Sequence, residues 1–183
     1  MMMRKLPLLS IALFLFTGCS DVTFENPMPL DRRDMSQFPK KWQGEWTDGE
    51  HTYVIGHRFF YEKESSPDPI QLDESVRLRR FQGYLVLNQK QDNGEWQVLL
   101  AKRKKQQIQL FEFDASDEEK VAIWQSILAS EIREESSGDL RKKSYTLSPE
   151  NNTAFRQLIL KGGLTLTGTL ELVAPSQLES IGG

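Results

Sequence analysis

Residues 42–55 read WQGEWTDGEHTYVI. Tryptophan, tyrosine and β-branched side chains lie on both sides of Asp48-Gly49, a dipeptide that takes the positive φ angles of a tight hairpin turn at little cost. The spacing predicts a strand over 42–47 and a second over 52–55, paired antiparallel. The pattern continues downstream. An aromatic-rich strand is expected over 58–63 (RFFYEK), then a loop over 65–69 (SSPDP). Strands over 70–80 and 84–90 are divided near Gln82-Gly83, and Asn93-Gly94 turns the chain into strands over 96–103 and 107–113. At the far end, Leu164, Leu166, Leu170 and Leu172 alternate with Thr165, Thr167, Thr169 and Glu171, the period-2 signature of a half-buried strand.

Two helices interrupt this series. Ser116-Asp117-Glu118-Glu119 has the form of a capping box, with Ser116 as the expected cap and acids in the first turn that favour the helix dipole. Val121, Trp124, Ile127 and Leu128 supply the apolar stripe. A second helix is expected to start at Ser148-Pro149, to bury Ala154, Phe155, Leu158 and Ile159, and to stop at Gly162-Gly163. Each helix follows a strand and a serine, a weak echo of one unit in the other. Residues 131–143 (EIREESSGDLRKK) are too charged to belong to a core. The expected class is therefore α+β: mainly an antiparallel β meander, compatible with a closed or half-closed barrel, with two α-helices in the C-terminal half.

Composition places the rest. The chain has 183 residues, 38% hydrophobic and 27% charged, an ordinary balance for one globular domain. Its formal net charge is -3. That mild acidity argues against nucleic acid or anionic lipid headgroups as the main partner. Cys19 is the sole cysteine, so no disulfide can form within the chain.

The first residues have their own logic. Arg4 and Lys5 precede an apolar run over 6–16 (LPLLSIALFLF). Crossing a bilayer takes ~20 apolar residues, whereas a run of ~10–14 fits the core of a signal peptide. Thr17 and Gly18 then offer the small side chains that a peptidase cleft accepts. Phe16-Thr17-Gly18-Cys19 resembles the lipobox of bacterial lipoproteins, with Phe16 in the place of the usual aliphatic residue. The resemblance covers residues 1–20 only. It implies a diacylglyceryl group on the Cys19 thiol, cleavage before Cys19, and a lipid-anchored domain outside the cytoplasm in the cell envelope. Ser20 after the cysteine, by similarity to enterobacterial sorting, implies transfer to the outer membrane where the organism has one. The expected organisation is a signal peptide over 1–18, a lipidated flexible tether over 19–38, and a single globular domain over 39–183.

No catalytic signature accompanies the anchor. His51 and His57 flank one predicted strand, but zinc would need further ligands. The sequence has no nucleophile elbow, phosphate-cradling glycine loop or H-E-x-x-H helix. No cofactor or metal is expected. Lys102-Arg103-Lys104-Lys105 is the one basic run, with Arg77, Arg79 and Arg80 expected on a neighbouring strand. It reads as a hairpin tip or edge strand guarded by charge against aggregation, in preference to a contact for anionic headgroups, cell-wall polymer or an acidic partner. Gly44-x-Trp46 at an opening strand resembles the first-strand motif of lipocalins, which implies a barrel holding an apolar ligand. Three functions follow. A noncatalytic envelope module binding a protein or polymer is favoured over a lipocalin-like carrier, and both over an envelope hydrolase built on paired carboxylates.

Overall fold

The computed structural model describes residues 22–64, 68–136 and 143–173. Cys19 and the rest of the lipobox-like motif, Phe16, Thr17 and Gly18, lie outside them. The described residues form a 12-stranded sheet with two α-helices: β1 (Val22–Phe24), β2 (Gly44–Thr47), β3 (Thr52–Ile55), β4 (Phe59–Glu62), β5 (Ile70–Gln71), β6 (Val76–Phe81), β7 (Tyr84–Lys90), β8 (Trp96–Lys104), β9 (Gln107–Glu112), α1 (Glu118–Leu128), β10 (Ile132–Ser136), β11 (Lys143–Leu147), α2 (Asn152–Leu160) and β12 (Thr165–Leu172). The class is α+β and mostly antiparallel, with both helices in the C-terminal half.

The sheet is half-closed. It curls from β6 through β7, β8, β9, β12, β2, β3 and β4 to β5, and β5 and β6 do not pair with each other. Two departures from a simple meander shape it. The last strand, β12, inserts between β9 and β2, and β1 lies parallel to β11. The alternation along β12 also breaks. A bulge between Leu166 and Gly168 resets the register, so Leu170 is buried while Leu166 stays 51% exposed. The four leucines therefore do not share one face.

The strands β7 and β8 are apolar on both sides, and this two-faced pair divides two cores. Val86, Val98 and Leu100 join the helical core with Phe24, Phe113, Trp124 and Phe155. Leu85, Leu87 and Leu99 face the concave side with Trp46, Leu78, Ile108 and Leu110. In the helical core Phe24 meets Phe113 edge-on at 5.0 Å and Phe155 at 5.9 Å. Full burial of each such ring stabilises the fold by roughly 1.5–3 kcal/mol.

Local capping differs from the sequence expectation in the same way at both helices. Asp117, not Ser116, caps α1, its side chain accepting from the amides of Glu119 and Lys120. Ser116 instead donates to Asp114. Asn151, not Ser148, caps α2, accepting from Thr153 and Ala154, while the Ser148 hydroxyl donates to Glu25. In each case the capping side chain lies closer to the first helical turn than the serine, by one residue at Asp117 and by three at Asn151. The expected strand over 70–80 is likewise split, because Asp73 folds back to accept from the amides of Ser75 and Val76. Trp42 sits in a 3₁₀ turn, Lys40–Trp42, ahead of β2 rather than within it.

The largest correction concerns the expected tether over 19–38. Across residues 22–38 the chain is an arm packed on the domain: Val22, Phe24, Met28 and Phe38 are all buried. Two polar side chains pin it. Asn88, 0% exposed, accepts from the Met28 amide at 2.6 Å and donates to the Met28 carbonyl at 2.8 Å, standing in for a strand partner. Buried Arg79 donates to the carbonyls of Pro27 (2.6 Å) and Pro29 (2.7 Å) and pairs with Asp34. The arm then bridges the open edge of the sheet. The Met35 amide donates to the Leu78 carbonyl on β6, and the Phe38 amide donates to the His57 carbonyl just before β4.

Replacing Asn88 with alanine strips both Met28 groups of their partner inside the fold. Each buried polar group left unmade costs ~1–3 kcal/mol. Asn88→Ala should therefore lower stability by about 2–4 kcal/mol in urea titration, with an unchanged result contradicting the pinned arm.

Candidate functional site

The concave face of the half-closed sheet is built by register. Arg80 on β6 lies opposite Leu85 on β7, which lies opposite Ala101 on β8. Residues opposite one another, or two apart on one strand, share a face. Leu78 and Arg80, Leu85 and Leu87, and Leu99, Ala101 and Arg103 thus line the concave side, apolar in its depth and cationic at its rim.

In the depth lies a cavity of about 70 Å³, lined by Phe38, Trp42, Phe60, Leu78, Leu99 and Ile108 among others, all apolar. At the rim lies a wider cleft of about 430 Å³. Four cations among the described residues line it: Arg32 from the arm, Lys41 from the 3₁₀ turn that follows it, Arg80 from β6 and Arg103 from β8. Its other walls are Trp42, Leu85 and the β6–β7 turn, and no acidic side chain among the described residues lines it. That turn has positive φ at both central residues, 51° at Gln82 and 83° at Gly83, the geometry that closes a two-residue hairpin. Trp42 and Leu85 border both spaces.

Arg103 is the most constrained of the four. Its guanidinium sits 5.6 Å from the centroid of the Trp46 ring, over a tryptophan that is 0% exposed. The Trp46 indole donates in turn to the Trp42 carbonyl at 2.9 Å. Arg103 Nε is buried and meets no acceptor among the described residues. None of Arg32, Lys41, Arg80 or Arg103 forms an ion pair among the described residues. Arg79, by contrast, is taken up in holding the arm, and Arg77 lies 5.0 Å from the Trp96 ring.

The basic run therefore divides. Lys105, with φ of 55°, forms the β8–β9 turn, Lys102 stacks on Tyr84 at 5.1 Å, and only Arg103 turns to the concave face. The structure brings Arg80 and Arg103 together across β7, and adds Arg32 and Lys41, which no sequence pattern singles out. The histidines are kept apart from this site. His51 Nδ1 lies 3.5 Å from Asp48, and the exposed His57 joins the arm through its backbone only. Among the described residues no group of three or more His, Cys, Asp or Glu is placed to hold a metal ion, and no helix is long and apolar enough to cross a membrane.

Gly44-x-Trp46 opens β2 with Trp46 at the foot of the cationic rim. No family model, curated protein or solved structure matches the chain.

Away from the cleft two carboxyl groups titrate in opposite senses. Burial, with the negative charge of Asp114, pushes Glu112 above the usual carboxyl value. Burial acts the same way on Glu95. There it is outweighed by hydrogen bonds from Thr23, Thr146 and Asn93 and by the Arg133 charge, which hold the carboxylate below its usual value. Glu112, raised in the folded state, contributes stability below its unfolded pKa that is lost as pH rises through the folded one. Glu95, depressed, contributes stability above its unfolded pKa that is lost as pH falls through the folded one. Urea midpoints should accordingly show Glu112→Gln more stable than wild type at about pH 7 and Glu95→Gln less stable, with both gaps narrowing toward about pH 3. Gaps that widen in acid would contradict these assignments.

Proposed function

We propose that the protein is a membrane-anchored bacterial lipoprotein, held by lipid on Cys19, whose domain acts without catalysis as a binding or structural module of the cell envelope. The cationic cleft is its contact face for an envelope protein or polymer bearing negative charge. The observation that carries this reading is the set of four cations around one cleft that form no ion pair among the described residues. Charges used for stability or solubility are commonly paired or spread over the surface, whereas a rim of one sign with apolar walls concentrates field on an incoming anion.

The anchor reading rests on residues 1–20. With β1 beginning at Val22, only Ser20 and Asp21 intervene between the lipidated residue and the first strand. Three residues reach at most about 10 Å. A domain attached so closely lies against the headgroups rather than being held off the bilayer. Two or more acyl chains on Cys19 supply the stable attachment that a single chain does not give. Transfer to the outer membrane, where there is one, accords with Ser20.

Mass spectrometry of the mature amino terminus should find acylated Cys19, and Cys19→Ala should leave the protein unprocessed or free of the membrane. A free Cys19 thiol on membrane-bound protein would refute the anchor. Photo-crosslinkers placed at Gln82, on the cleft, should capture an envelope partner that the same probe at exposed Glu50 does not.

A second reading, a lipocalin-like carrier, draws on Gly44-x-Trp46 and on the wholly apolar cavity. Its size favours the first reading: ligand pockets for small molecules measure about 300–1,000 Å³, against about 70 Å³ here. A fluorescent fatty acid should therefore show no saturable binding that unlabelled lipid displaces. Saturable, competed binding would reverse the order of the two readings.

A further inference from the structure

The cleft also specifies the chemistry of the group it receives. We infer that Arg32, Lys41, Arg80 and Arg103 form a binding site for one oxyanion group, a phosphate or carboxylate, carried by a ligand with an apolar ring or chain. The inference deepens the contact-face reading above and depends on it.

Three features of the cleft converge on this chemistry. The first is charge. Four cations without an acid among them repel one another, and a phosphate or carboxylate relieves that repulsion at the centre they share. The second is the state of Arg103. Its guanidinium carbon lies 5.6 Å from the centroid of the Trp46 ring, and it forms no ion pair among the described residues. A guanidinium is a planar fork suited to two parallel hydrogen bonds to an oxyanion, and arginine at both Arg80 and Arg103 matches that geometry better than lysine would. The third is the wall. Trp42 and Leu85 continue from the rim into the apolar depth, so one wall beside the charge centre is apolar. At about 430 Å³ the cleft accommodates a ring or short chain with its head group. An inorganic ion alone would leave the apolar wall unused.

Phenyl phosphate tests this directly, because it joins both features and stays in water. Calorimetric titration of the full chain in neutral detergent should give saturable binding of phenyl phosphate, at least tenfold tighter than inorganic phosphate. Phenol, which lacks the charge, should not bind. Benzoate separates a preference for carboxylate from one for phosphate, and binding of either acid supports the site. Arg80 is exposed and makes no ion pair among the described residues, so Arg80→Gln should fold normally and weaken binding tenfold or more. Arg133→Gln, whose partner is Glu95 outside the cleft, should leave it unchanged. Arg103→Lys keeps the charge but loses the fork, and should weaken phenyl phosphate more than inorganic phosphate. Absence of saturable binding for phenyl phosphate, phosphate and benzoate would overturn the inference, as would wild-type affinity in Arg80→Gln. Such a failure, with cross-links still mapping to Gln82, would leave the contact face standing and remove only its assigned chemistry.

Discussion

Two buried side chains on neighbouring strands, Arg79 and Asn88, hold a proline-interrupted arm that no strand could hold. Pro27 and Pro29 have no amide to give, so this segment cannot enter a sheet in the ordinary way. Asn88 offers one donor and one acceptor to Met28, and Arg79 reaches the carbonyls of Pro27 and Pro29. Much else follows from that attachment. The arm seats Phe24 and Met28 in the helical core and Phe38 in the concave one. It spans the open edge between β6 and β4, and it carries Arg32 to the cleft. Without the arm the half-closed sheet would lose an edge, and the cleft would lose one of its cations.

The strand pair β7–β8 is the second support, since it separates two cores with apolar side chains on both faces. Covering both faces allows helices on one side and curled strands on the other within a single small domain. The same strands set the functional geometry. A shift of one residue in the β6–β7 register would turn Arg80 outward and bring Arg79 to the rim, exchanging the pinning residue for the binding one.

Legibility in the sequence divides along these lines. The strands around Asp48-Gly49 and Asn93-Gly94 could be read because turn chemistry and alternation are local signals. The helices were readable from their stripes, though not their caps, since Asp117 and Asn151 compete with nearby serines over distances that sequence does not resolve. The arm was read as a tether because its order comes from partners some fifty to sixty positions away. Residues 21–38 show neither helical nor strand period. The cleft was half visible. The run 102–105 and the arginines of β6 were evident as basic residues, but only the register reveals that Arg80 and Arg103 face inward while Lys102 faces out. The bulge at Gly168 hid the true face of Leu166 for the same reason: one extra residue inverts an alternation that otherwise looked regular.

In the proposed reading, a short link from lipidated Cys19 would lead directly into the arm that borders the cleft. The central claim is that this segment belongs to the folded domain. Hydrogen–deuterium exchange on the intact chain examines it at the amides of Met28 and Met35, which donate to Asn88 and to the Leu78 carbonyl. The account predicts protection of peptides covering 26–37 that approaches that of β7. Exchange there as fast as in an unstructured chain would contradict it.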